Sequence, residues 1–228
     1  MDKYPDNKFQ ITKGSKNLRL REILMDSDGL LTIVKLNFLF LITIVPIIPF
    51  VTVFTAGPAV TALLYCSNQL VKTGNLPQTG KTYFNIFKSS FKTTVKYGFV
   101  LTLLNYMFIS GLAIYLTLAS ENYMYIPFAS VSLIGIIILW SVTIHLFPSF
   151  TEDNEDKSAK ERITDAATLA VINIKSTLIA VVLSFVIIGA VILMLPKTLP
   201  LIFIVVFSAP ALAAGFAHTD PEFISDII

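Results

Sequence analysis

From Lys35 to Lys72 the chain runs for 36 residues without an Asp, Glu, Lys or Arg. Similar windows follow from Tyr97 to Ser120, from Asn122 to Thr151 and, interrupted only by Lys197, from Ser176 to Thr219. Each window or half-window reaches the roughly 20 residues that a membrane-crossing helix needs. The pattern predicts an all-α polytopic membrane helix bundle of about six transmembrane helices, with spans near Leu30–Phe54, Ala59–Val71, Tyr97–Ala119, Tyr125–Ser149, Ile172–Leu195 and Thr198–Ala217. The first turn is expected at Thr55-Ala56-Gly57-Pro58-Ala59, where Gly and Pro supply the breaking chemistry, after Pro46 and Pro49 have interrupted the first span. The second span is short and ends in Ser67, Asn68 and Gln69. It reads as a short or re-entrant segment, which requires its irregular backbone to be buried in protein or to line a wet cavity.

Two charged stretches also read as helices. At 100° per residue, Phe84, Phe87, Phe91 and Val95 form one stripe and Lys81, Lys88, Lys92 and Lys96 a neighbouring one. This predicts a cytoplasmic amphipathic helix in the membrane interface, its lysines serving to bind headgroups or to dock another protein. After the acidic cluster Glu152, Asp153, Glu155 and Asp156, the run Ser158-Ala159-Lys160-Glu161 has capping-box spacing and predicts a second helix start.

Charge asymmetry then orients the chain. Seven Lys and Arg lie in the segment through Lys35, five lie in Lys72–Lys96 with no acid, and Lys157, Lys160, Arg162 and Lys175 lie in the segment after Glu152. The turn at Glu121–Met124 has none. Positive charge is retained on the cytoplasmic side, so residues 1–29 and 219–228 are expected as cytoplasmic tails around one transmembrane domain, 30–218. The charged first 29 residues do not read as a cleavable signal peptide. Composition agrees: 54% of residues are hydrophobic, 14% are charged and the mean hydropathy is +0.74, well below the charge content of a soluble domain. At 228 residues, most of them in apolar windows, no second globular domain is expected. The single Cys66 excludes an intramolecular disulfide.

Candidate chemistry is sparse. The expected spans hold no Asp or Glu, which argues against a carboxylate proton relay or a buried cation site. Asn37, Asn105 and Asn173 are candidates for helix contacts or for lining a polar cavity, and His145 and His218 fall near ends of spans that share one side of the membrane. Neither histidine has a second ligand one turn away, so no metal is expected. Nucleotide-binding, nucleophile-elbow and metalloprotease motifs are missing, so no catalytic residues, cofactor or enzymatic activity are expected, and nothing suggests nucleic acid. Ala211 and Gly215 have the spacing of a close helix contact, within the chain or between subunits.

The order Leu-Asn-Phe-Leu-Phe from Leu36, then Pro46-Ile-Ile-Pro49, Thr55-Ala56-Gly57-Pro58-Ala59 and Thr61-Ala62-Leu63-Leu64 resembles the start of the YesL-like family of bacterial membrane proteins (domain of unknown function 624). Phe84–Lys92, Leu146-Phe147-Pro148 and Thr164-Asp165-Ala166-Ala167 extend the resemblance over about Leu30–Ala217. Ala56 departs from it, standing where a larger aliphatic residue is expected. The resemblance carries no catalytic residues. It implies a multi-pass protein of the bacterial cell membrane that accompanies carbohydrate uptake, with the bilayer and an importer permease or other membrane subunits as partners and an unspecified oligomeric state. A stand-alone small-solute transporter and a structural membrane protein are the alternatives. The chain carries no ATP-binding motif, so any energy coupling would come from partner subunits.

Overall fold

The computed structural model describes residues 23–24, 26–44, 49–76, 78–151, 157–195 and 197–219, with the side chains of 49–52 excepted. Residues 1–22 and 220–228 of the expected tails, Pro46 and the acidic cluster at 152–156 lie outside them, whereas the end of the expected N-terminal tail already belongs to the first helix, which starts at Ser27. Every regular element among the described residues is helical: α1 (Ser27–Ile44), α2 (Pro49–Thr73), α3 (Thr79–Ala119), α4 (Ile126–Leu146), α5 (Ala159–Ile172), α6 (Ile174–Leu193), α7 (Leu199–Ile204) and α8 (Ser208–Thr219), with single 3-10 turns at Tyr123–Tyr125 and Pro148–Phe150.

Four segments among the described residues are long and apolar enough to cross a membrane: Ser27–Ile44, Thr79–Ala119, Tyr123–Phe150 and Ile174–Leu193. Their outward faces carry large apolar side chains, among them Phe38, Leu103, Val131 and Val186, which is the surface a bilayer covers. The chain is thus built as a multi-pass membrane protein, with four such segments among its described residues.

The helices depart from the expected spans at α2 and in the last two helices. Contrary to expectation, no turn occurs at Thr55–Ala59, because α2 runs unbroken through Gly57 and Pro58 and is neither short nor re-entrant. Tight packing compensates for the hydrogen bond that Pro58 cannot donate. At Gly57 an added Cβ would lie 2.3 Å from the Thr94 carbonyl oxygen and 3.0 Å from Gly98 Cα, and at Gly98 one would lie 2.3 Å from Gly57 Cα. Two glycines thus meet where α2 and α3 cross, and Gly57 serves close approach instead of a break. From Ala56 to Val71 only Val60, Tyr65 and Gln69 escape full burial. α2 is therefore the central helix, which explains how Ser67 and Asn68 sit in an apolar bundle. Cys66 packs within this core.

A second correction concerns Lys81–Lys96, which is not a separate interfacial helix. It is the first half of α3, a continuous helix of 41 residues that also contains Tyr97–Ala119. Tyr83 anchors this half, its ring fully buried and its hydroxyl 2.8 Å from Thr43 Oγ1 of α1 and 3.4 Å from the Ala59 carbonyl oxygen of α2.

The third correction is that Thr198–Ala217 is not one helix. Pro210 lacks the N–H that would bond to the Val206 carbonyl, and its ring excludes that carbonyl's helical position, so the chain turns at Val205–Phe207 between α7 and α8. The helix start expected at Ser158 is present: Ser158 Oγ accepts the Glu161 N–H, and Glu161 Oε2 accepts the Ser158 N–H at 2.7 Å.

Candidate functional site

Breaking a helix inside an apolar bundle leaves carbonyls at the first piece's end and N–H groups at the second's start without partners. Asn37 resolves this from α1. Its carboxamide is fully buried; Nδ2 donates to the Ile202 carbonyl at 2.7 Å, while Oδ1 accepts the N–H of Phe207 at 2.8 Å and of Ser208 at 3.2 Å. One side chain thus holds both sides of the α7–α8 break. Phe40, one turn along α1, meets the Phe207 ring at 5.1 Å and closes the contact with apolar packing.

At the other end of α8, His218 reaches the buried His145 of α4, with the two Nδ1 atoms 3.1 Å apart. His145 Nε2 lies 2.9 Å from Thr177 Oγ1 on α6. The three groups tie α4, α6 and α8 together. A bond between the two Nδ1 atoms requires one ring to donate and the other to accept, and the Thr177 hydroxyl accommodates either arrangement because it can donate or accept. The approach of the two histidines is legible in the sequence once the spans are placed. Thr177 is not, being one of many hydroxyls in apolar segments.

Between these ends α8 rests on α2. A Cβ at Gly215 would sit 3.2 Å from Asn68 Oδ1 and 3.3 Å from the Ser67 carbonyl oxygen, so the Ala211–Gly215 spacing serves packing within the chain. Ser67 Oγ and Asn68 Oδ1 are buried without a hydrogen-bond partner among the described residues.

The remaining candidates are held separately. Asn105 Oδ1 accepts the Trp140 indole N–H at 2.8 Å, and its Nδ2 donates to the Leu101 carbonyl at 2.9 Å, joining α3 to α4. Trp140 in turn stacks on Phe185 of α6 with centroids 4.7 Å apart. Asn173 marks the corner between α5 and α6, where its carbonyl accepts the Thr177 N–H at 2.9 Å and the Ser176 hydroxyl at 3.0 Å. Its part there is played by the backbone. Lys81, Lys88, Lys92 and Lys96 are all exposed. Of the neighbouring aromatic stripe, Phe84 and Phe91 are exposed, whereas Phe87 packs against the core.

Arg162 gains a role that charge counting did not show. Nearly buried on α5, it donates through Nη1 to the Ser149 carbonyl at 2.7 Å and through Nε to the Lys157 carbonyl at 3.3 Å, and its guanidinium lies 5.0 Å from the Phe150 ring centroid. Phe150 also meets Tyr97 of α3 at 4.7 Å. Planar stacking with several donors suits arginine and not lysine. A groove of about 460 Å³ opens between the start of α1, at Asp28, Thr32 and Lys35, and the α2–α3 connection, where Gln78 adopts φ 63°.

Residues 33–112 match the family described as a protein of unknown function, DUF624. The matched segment runs from α1 through α2 to Leu112 of α3, and over it the resemblance expected from the sequence is borne out. It contains Asn37, Asn105 and the Gly57–Gly98 crossing, but not the histidines. Comparison with curated proteins and with solved structures gives no match.

Proposed function

We propose, taking the DUF624 match as premise, that this chain is an accessory or regulatory component of the bacterial cell membrane, with both termini cytoplasmic, that supports carbohydrate uptake by associating with importer membrane subunits. It has no catalytic centre of its own in this reading. One observation carries it. Asn37, Asn105 and His145, three of the interior polar side chains that a solute path would use, are each engaged with another helix of the bundle. Such contacts fix helix positions, and function is argued here from that use of the polar groups. Proximity labelling and cross-linked pull-down of the tagged protein from its own membranes test the proposal: importer permease or solute-binding subunits among the captured chains support it, and capture of the chain alone counts against it.

The break between α7 and α8 favours a second reading, a stand-alone small-solute transporter, because interrupted helices recur at transporter binding sites. Flux of sugars into vesicles holding only this protein would establish it. A structural membrane protein would give neither flux nor association.

A further inference from the structure

Helix α3 carries no Asp or Glu over its 41 residues. Its buried residues in the first half, Tyr83, Ser90 and Thr94, share one face. On an ideal helical wheel Lys81, Lys88, Lys92 and Lys96 fall within about 80° of arc centred roughly opposite that face. All four are exposed, and Phe84 and Phe91, exposed too, flank them. Followed along the same line of the helix, the next outward residues are Phe99, Leu103, Tyr106, Met107 and Ile114, all exposed and none of them charged. One continuous stripe therefore changes from lysine to apolar between Lys96 and Phe99.

Length gives that change a physical meaning. At 1.5 Å per residue the apolar half, Tyr97–Ala119, extends about 34 Å, which matches the roughly 30 Å hydrocarbon thickness of a bilayer. The lysine half adds about 27 Å more, and the hydrocarbon has no room for it. Lipid tails cover the stripe beyond Phe99. The layer that borders those tails, and that the stripe meets next, is the headgroup layer of the leaflet at that end.

We infer that the membrane-proximal end of this stripe, Lys88, Lys92 and Lys96 of α3, is a binding surface for anionic lipid headgroups. The charges are complementary, and the surface is continuous with the face that tails already cover. Each lysine that engages an anionic headgroup raises local occupancy about fivefold, an effect that salt screens. The inference requires no importer partner, so it stands or falls apart from the proposed function.

The full chain, purified and reconstituted in phosphatidylcholine vesicles, tests it with trace spin-labelled phosphatidylglycerol or phosphatidylcholine and measurement of the motionally restricted fraction. The expected result is a several-fold preference for phosphatidylglycerol that falls in high salt and is largely lost in a Lys88→Gln, Lys92→Gln, Lys96→Gln variant. Those side chains point away from the packing face, and unchanged thermal unfolding of the variant verifies its fold. Equal restriction of the two lipids, or a preference that survives the three substitutions, overturns the inference. So does a stripe that ignores lipid in vesicles while photocross-linkers at positions 88 and 92 capture an acidic protein in host membranes.

Discussion

His145 and His218 approach through their Nδ1 atoms at 3.1 Å, although 73 positions separate them in the chain. The contact fastens the last described helix to α4, and the Thr177 hydroxyl fixes the far side of the His145 ring. When both rings are protonated, the two Nδ1 atoms become facing donors and the bond cannot form.

The two histidines are therefore expected to be energetically coupled. In a double-mutant cycle with His145→Ala and His218→Ala, read by thermal or steric-trap unfolding in a defined bilayer mimic, the coupling should be about 0.6–2 kcal/mol. Strictly additive losses would show that the short distance carries no energy.

At the α2–α3 crossing, Gly57→Ala should be more damaging than its size suggests, since the new methyl meets backbone and not a movable side chain. Overpacking of this kind costs about 1–3 kcal/mol. Gly98→Ala should be equally harmful, and the pair of substitutions should show no rescue. A wild-type melting temperature for either variant would contradict the close approach.

For Asn37→Leu the expectation is local as well as global. Removing the carboxamide strips the Ile202 carbonyl and the Phe207 and Ser208 N–H groups of their shared partner, at a cost of about 2 kcal/mol. Hydrogen exchange should accelerate first at 205–209, where the helix is broken. Uniform acceleration, or none, would speak against a staple at that place.

Arg162→Lys keeps the charge and should still loosen α5. Lysine cannot reproduce the two carbonyl contacts together with the stacking on Phe150. The loss should be about 1.5–3 kcal/mol and should appear as protease sensitivity between Thr151 and Ala159. Equal stability of the two proteins would reduce Arg162 to a topology charge.

Acid should fray the start of α5. The Glu161 carboxyl is held below the ordinary carboxylate range, first because it accepts the Ser158 backbone N–H and then through its contact with the Ser158 side chain. With the folded value depressed, the contribution to stability is complete above the unfolded value and is lost as pH falls through the folded one. Amide protection in the first turn of α5, compared between wild type and Glu161→Gln, should differ near neutral pH and converge in acid. A difference that stays constant with pH would assign the protection to Ser158 alone.

The membrane-bundle fold and the capping box were legible because charge-free windows and cap spacing are local signals. The continuity of α2 was not. Gly57-Pro58 has the chemistry of a turn, and only the facing Gly98, 41 residues later, makes it a crossing point. Pro210 offered the reverse lesson: a true break stood inside a run whose hydrophobicity reads as one span. Asn37 and Asn105 could be singled out as costly polar groups, but their partners are backbone atoms and an indole, which no spacing rule foretells. Arg162 was hidden by its usefulness as a topology charge.

The Asn37 staple also sets an order of assembly in time. Asn37 and the Ile202 carbonyl are 165 positions apart, so at about 5–20 residues per second a ribosome takes roughly 8–33 s to supply the partner after Asn37 is made. Throughout that interval α1 holds a carboxamide with its native bonds unmade. A nascent chain halted before Leu199 keeps that carboxamide without its native partners, so the α1 contact with the last helices is among the final ones the chain can make.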